Sequence, residues 1–149
     1  MIRFCSGDIL QSKCGVLVNP VNCVAVMGAG LAKQFKARFK DSSYFEKYAE
    51  DCARGDLRPG FPTFWNRYRY NEHDISIVNF PTKDDWKNPS KIEWIDDGLK
   101  RLRLMVTSPV SIAIPPLGCG LGGLDKNEVK NLILEHFKDY PGTVELYGF

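Results

Sequence analysis

The chain has 149 residues, enough for one domain with a sizeable core, and its 44% hydrophobic and 26% charged residues are the balance of an ordinary globular protein. The net charge of +2 is too small to argue for nucleic acid by itself, and no apolar run approaches the roughly 18 residues of a membrane span. The opening MIRFCSGDIL does not read as a signal peptide, and five dispersed cysteines (Cys5, Cys14, Cys23, Cys52, Cys119) without a CxxC pair suit reduced thiols in a cytoplasm better than a zinc ribbon or a redox pair.

In chain order, the pattern predicts a strand at Ile2–Phe4, a strand at Gly15–Asn19, and helices at Leu31–Phe39 and Tyr44–Arg54. Strands follow at Thr63–Arg67 and Ile75–Phe80, then a helix at Lys91–Val106. A strand at Ser111–Ile114, a helix at Lys126–Phe137 and a strand at Val144–Tyr147 complete the chain. Ser43, Ser90 and Asp125 each stand three residues before a glutamate (Glu46, Glu93, Glu128), the spacing of a capping box. Ile92, Ile95, Leu99, Leu102 and Val106 recur at three- and four-residue steps, which makes one buried stripe. SIAIPPL has little alternation and reads as a central buried strand. Strands alternating with helices predict an α/β/α sandwich, a single domain with a mixed sheet of about six strands.

Two glycine-rich segments follow predicted strands and lead into helices: NPVNCVAVMGAGLAKQFK, residues 19–36, and PPLGCGLGGLDKNE, residues 115–128. Glycine lets the backbone approach a ligand and turn its N–H groups toward it, and a helix N-terminus adds a positive end. Two such loops in one small domain suit a diphosphate. The same glycines can equally serve tight turns. Gly118, Gly120 and Gly123 form a literal G-x-G-x-x-G, but it falls late in the chain, with only one strand after it. The acid a dinucleotide fold needs at the end of a further strand is missing, because Asp139 ends a helix.

Other chemistry is sparse. His73, in a predicted turn, and His136, near a helix end, are too isolated to build a metal site with scattered thiols. Cys119 reads as a small packing residue inside the second loop. FPTFWNRYRYNEHD interleaves Trp65, Tyr68 and Tyr70 with Arg67 and Arg69, which suits a hairpin with one buried face, or a surface that stacks bases. IVNFPTKDDW ends a strand on a Pro-Thr turn and sets Lys83 beside it.

Taken together, SGDIL, VNPVN followed by GAGLA, and IPPLGCGLGGLD resemble, in order and over essentially the whole chain, the signatures of a macrodomain, the ADP-ribose-binding fold. NFPTKDDWKNPSKIEWIDDGL is similar to the DarG branch of that family, antitoxins that remove ADP-ribose from thymidine in single-stranded DNA and so reverse the toxin DarT. The resemblance implies that Asp8 accepts from the adenine amine, with the Ile9 N–H nearby. Asn19 stands at the strand end and Asn22 meets the distal ribose. Gly28, Ala29, Gly30, Leu31 and Ala32 wrap that ribose and the diphosphate, Thr82 lies beside the lysine, and Gly118, Cys119, Gly120, Leu121 and Gly122 hold the phosphates. Lys83 falls on the catalytic lysine.

The related human terminal ADP-ribose protein glycohydrolase pairs its lysine with an aspartate where this chain has Gly122. Asp125, three residues on, reads as a helix N-cap, so the resemblance does not supply a lysine–aspartate dyad. It implies no metal or redox cofactor, a cytoplasmic monomer, and as partners ADP-ribose, ADP-ribosylated single-stranded DNA and a DarT-type toxin. Full-length DarG carries a C-terminal domain that restrains the toxin, beyond the stretch matched here. Trp86 and Lys87 are placed to meet nucleic acid at the pocket mouth. A non-catalytic ADP-ribose reader, a hydrolase acting on protein-linked or guanine-linked ADP-ribose or O-acetyl-ADP-ribose, and a toxin-blocking protein without turnover remain open.

Overall fold

The computed structural model describes residues 1–107 and 109–149, and Ser108 and the side chain of Arg67 lie outside the described residues. Six strands form one mixed sheet: β1 (Ile2–Cys5), β2 (Val16–Val21), β3 (Thr63–Tyr70), β4 (His73–Pro81), β5 (Ile112–Ile114) and β6 (Val144–Tyr147). Their order is β1-β6-β5-β2-β4-β3, every neighbouring pair being parallel except the antiparallel β3 and β4. Helices α1 (Gly30–Arg38) and α2 (Tyr44–Arg54) serve one face of the sheet, α3 (Ile92–Met105) and α4 (Lys126–Phe137) the other. No helix among the described residues is long and apolar enough to cross a membrane.

The alternation of side chains in the strands builds two cores. Val16 and Val18 of β2, Val78 and Phe80 of β4, and Ile112 and Ile114 of β5 meet Ile95, Leu99, Val129 and Ile133 of α3 and α4. Leu17, Ile75, Ile77 and Ala113 face the other way, toward Phe35, Tyr44 and Tyr48. With both faces covered, the central strands read as continuous apolar runs. Each fully buried Leu, Ile or Phe contributes roughly 1.5–3 kcal/mol before the entropy of ordering is set against it. The predicted stripe of α3 is buried from Ile95 to Leu102, and it lies tight on β4 because Gly98 has no side chain: a Cβ there would stand 2.4 Å from Phe80 Cζ.

Three local expectations are corrected. The β3–β4 hairpin is longer than predicted, and its turn is only Asn71 and Glu72, both at positive φ (47° and 68°), as a two-residue hairpin turn requires. His73 is therefore the first residue of β4, paired with Tyr70, and not part of the turn. The rings of Trp65, Tyr68 and Tyr70 pack on Phe39, on the α1–α2 side, partly buried against that core, which agrees with the expected hairpin with one buried face. Of the three predicted caps, only Asp125 acts as one, accepting from the Glu128 N–H at 3.0 Å. Ser43 instead accepts from Trp65 Nε1 at 3.2 Å, and α3 starts behind Lys91, leaving Ser90 to a different contact.

Candidate functional site

The parallel strands β2, β4 and β5 end side by side, and the chain leaves them in three loops. A crevice at the carboxyl ends of parallel strands is where an open α/β sheet takes its ligand. Here it is a cleft of about 660 Å³, within the usual range for a small-molecule site. Asn22, the segment from Gly28 to Ala32, Thr82, Lys83 and the segment from Gly118 to Gly122 all line it. Residues far apart in sequence are thus gathered by the strand ends.

The first loop is shaped by Asn22. Its Nδ2 donates to the Val26 carbonyl at 2.7 Å, and its Oδ1 accepts from the Tyr48 hydroxyl at 2.8 Å and the Val24 N–H at 3.2 Å. The amide is engaged in holding its own loop open against α2. The loop then runs into α1, whose N-cap residue is Ala29, with no side chain to accept from the first turn. The orphan donors of Gly30, Leu31 and Ala32 therefore sit uncapped at the cleft wall, with the positive end of the helix behind them. By contrast α4, capped by Asp125, has part of that capacity used.

In the second loop Gly118 takes φ +73°, a conformation only glycine adopts cheaply. Cys119, Gly123 and Leu124 donate their N–H groups within the loop, to the carbonyls of Pro116, Gly120 and Gly118. No protein acceptor is found among the described residues for the N–H groups of Gly120, Leu121 and Gly122. Three open donors around one wall make an anion-binding concavity. Cys119 Sγ donates to the Leu117 carbonyl, and burial pushes its thiol upward, away from the thiolate that a nucleophile needs.

Lys83 stands where β4 ends, on a segment tied to both loops. The N–H groups of Thr82 and Lys83 point to the Val21 carbonyl at 2.9 and 3.4 Å, and Cys23 donates to the Asp84 carbonyl at 3.1 Å. At the far end, Ser90 donates its backbone N–H to the Gly122 carbonyl at 3.0 Å. Lys83 Nζ itself donates to the Trp86 carbonyl at 3.2 Å. No ion pair to Asp84 or Asp85 forms among the described residues, and the Asp85 side chain accepts from the Lys87 N–H instead. Gly122 has no room for any side chain: a Cβ would lie 2.3 Å from Ser90 Oγ and 2.4 Å from the Gly118 carbonyl. A carboxylate partner for the lysine is thus excluded at that place, and Asp125 is occupied as a cap.

Three predicted residues lie elsewhere. Asn19 does not line the cleft, because β2 continues to Val21 and its alternation turns Asn19 toward α2. There it is fully buried and donates to the Tyr44 hydroxyl at 2.7 Å. Asp8 caps a short 3₁₀ turn at Ile9–Gln11, accepting from the Leu10 N–H at 2.9 Å, with Arg38 at 4.0 Å. Ile9 is buried in the α1–α2 core. Both stand outside the cleft wall.

Sequence reasoning did not single out Val26, Pro115, Pro116 or Lys126, which also line the cleft. They lie inside the two glycine-rich segments but lack glycine's signal, and only the pairing of strand ends shows that they face the cleft. Trp86, Val26 and Leu121 are exposed apolar groups at its rim, at 52%, 39% and 81%. Among the described residues no group of three metal-ligating side chains occurs.

Residues 18–133 match the Macro domain family. The sequence is 41% identical over 145 residues to the DNA ADP-ribosyl glycohydrolase of Mycobacterium tuberculosis, a match covering 95% of this chain and 40% of that protein. The fold superposes on the macrodomain of Mycobacterium tuberculosis DarG with a TM-score of 0.90 at 38% identity, covering 99% of this chain and 97% of that one. A structure of Thermosipho africanus DarTG in complex with ADP-ribose aligns with a TM-score of 0.85 at 30% identity, over 97% of this chain and 41% of that one. The chain spans about 40% of the length of the curated relatives it matches.

Proposed function

The chain belongs to the Macro domain family, and from that premise we propose that it is a glycosidase-type hydrolase that releases ADP-ribose from modified single-stranded DNA, thymidine being the carrier and a DarT-type toxin the source of the mark. The observation that carries this reading is the presence of Lys83 in one cleft with the open donors of both glycine loops. The kinship with proteins named DNA ADP-ribosyl glycohydrolase supports the substrate class. A monomer in the cytoplasm is part of the same proposal.

In this reading the diphosphate lies between the first turn of α1 and the loop from Gly118 to Gly122. The distal ribose lies against the segment from Asn22 to Ala32, and the adenine end reaches beyond the cleft to Asp8 and Ile9. Cleavage at the anomeric carbon builds oxocarbenium character, which common glycosidases meet with two carboxylates. Among the described residues no Asp or Glu lines this cleft. The Lys83 amine either attacks the anomeric carbon or, as an ammonium, stabilises the leaving base while water attacks. In the first route the bond to the base breaks, its electron pair leaves with the base, which takes a proton, and water hydrolyses the amine adduct to free ADP-ribose. Both routes are hydrolyses and draw on no redox cofactor.

The test is release of ADP-ribose from a single-stranded oligonucleotide ADP-ribosylated on thymidine, by wild type and Lys83→Ala, alongside titration with free ADP-ribose. Turnover by wild type alone, with binding retained in the variant, is the expected result. Tight binding of ADP-ribose without turnover by either protein would overturn the enzyme reading and leave a reader.

A further inference from the structure

Beyond the cleft, the structure carries a series of cation–aromatic pairs that begins at the cleft mouth. Lys87 Nζ lies over the Trp86 ring, 5.5 Å from its centroid. Lys91 Nζ lies over the Trp94 ring at 5.3 Å. Phe61 is held between two guanidinium groups, Arg58 at 3.8 Å and Arg101 at 3.7 Å. Trp86 is 52% exposed, and Arg58, Lys87 and Lys91 are exposed.

The topology sets these pairs in a row. Trp86 is on the cleft wall, and the segment carrying it runs directly into α3. Lys91 is the N-cap of α3, and Trp94 and Arg101, seven residues apart, share one side of it, about 10 Å from each other along the axis. Arg101 donates to the Gly60 carbonyl at 3.2 Å, which fixes the loop bearing Arg58 and Phe61 against that side. This loop leads into β3 at Thr63, which pairs with Asn79 near the cleft end of β4. The row therefore leads from the mouth toward the β3 edge of the sheet.

We propose that this row is the path of the DNA strand flanking the modified nucleotide, with bases stacking on Trp86 and Trp94 and phosphates held by Lys87, Lys91, Arg58 and Arg101. It rests on the glycohydrolase reading above and adds the part of the substrate that lies outside the cleft. Flat apolar rings alternating with cations match a polymer of flat bases and anionic linkers. Arg58 and Arg101, over the Phe61 ring, each spend one Nη1 donor on a backbone carbonyl, of Gly55 and Gly60, and a guanidinium has five N–H donors, so others remain for phosphate oxygens. Glu93 and Asp97 lie on the same helix, so the row is no uniformly positive field, and short-range stacking and hydrogen bonding carry the recognition.

The experiment compares turnover of an ADP-ribosylated dinucleotide with that of a strand of about 12 nucleotides, for wild type, Arg58→Glu and Lys91→Glu. Anisotropy of a labelled, unmodified strand of the same length, titrated with each protein, is measured in parallel. The longer substrate is expected to show kcat/KM roughly tenfold higher in wild type through a lower KM, with the salt slope reduced by about 0.7 for each phosphate contact removed. Each variant is expected to lose that advantage, to bind the unmodified strand more weakly, and to turn over the dinucleotide as wild type does. Equal kcat/KM on both substrates, or variants that bind the unmodified strand as tightly as wild type does, would overturn the path. If wild type turns over neither substrate, the glycohydrolase reading fails, and the anisotropy of wild type against the variants still decides whether the row binds a strand.

Discussion

Lys83 folds back over its own turn, its Nζ donating to the carbonyl of Trp86 three residues on, at 3.2 Å. The same turn presents the Trp86 ring at the cleft mouth. Amine and ring are therefore positioned together, and a shift of the turn moves both. This contact uses one N–H of the amine and leaves its other donors, or its lone pair when neutral, for the ligand. Lys83→Ala is expected to lower kcat by about 10²–10⁴-fold with ADP-ribose affinity kept. Lys83→Arg separates the routes: an arginine keeps the charge but cannot form an amine adduct. Retained turnover in Lys83→Arg supports electrostatic stabilisation. Loss equal to that of Lys83→Ala, with a borohydride-trapped adduct on wild type seen by mass spectrometry, supports covalent catalysis.

The closeness of Ser90 and Gly122 makes a second prediction. A methyl group at Gly122 would meet Ser90 Oγ at 2.3 Å and the Gly118 carbonyl at 2.4 Å, so the loop must move. Gly122→Ala is expected to cost about 1–3 kcal/mol of stability by overpacking and to weaken ADP-ribose binding, because the open donors of the loop are displaced. Gly122→Asp is expected to be at least as damaging and to add no activity. Thermal unfolding and calorimetric titration with ADP-ribose check both. An Asp variant that is stable and faster than wild type would contradict the steric argument.

Asp125 offers the converse case. Its carboxylate accepts from the Glu128 N–H and opens α4, and among the described residues it forms no hydrogen bond or ion pair with Lys83. Asp125→Ala is expected to cost about 1 kcal/mol, the ordinary value of a lost N-cap. Its turnover should match wild type at a temperature where both are folded. A large loss of kcat at unchanged stability would return Asp125 to the chemistry.

The Tyr44 hydroxyl joins two strands, accepting from Asn19 of β2 and donating to Asn79 of β4, which are register partners. All three side chains are buried. Tyr44→Phe leaves both amides without this partner and is expected to cost about 1–3 kcal/mol. At about 2–4 °C per kcal/mol for a chain of this size, the fall in Tm is readily measured. ADP-ribose affinity should change little, since none of the three lines the cleft. A strong loss of affinity at unchanged Tm would place Asn19 back in the site.

The element order was legible in the sequence because each segment states its own period. The α3 stripe from Ile95 to Leu102 and the apolar run of β5 specify buried faces wherever they pack. Glycine loops and the strand-end lysine were legible for a similar reason: a backbone that must approach a ligand tolerates few residues other than glycine. Caps were less legible, since a serine with a glutamate three residues on fits several environments. Ser43 was taken by the Trp65 indole, which lies 22 residues away in the chain.

What the sequence determined by itself is local: the periods of strands and helices, the glycine-rich turns, and a lysine beside a Pro-Thr turn. What only the tertiary structure decided is which of these share a space. Parallel pairing of β2 with β4 and β5 brings Val21, Pro81 and Ile114 to one end, and so gathers Asn22, Lys83 and Gly118 into one cleft. The same pairing extends β2 past Asn19 and turns that side chain to Tyr44. Strand register is set by which face finds a core, and a shift of one residue exchanges the faces. That choice depends on partners tens of residues away, and no local pattern contains it.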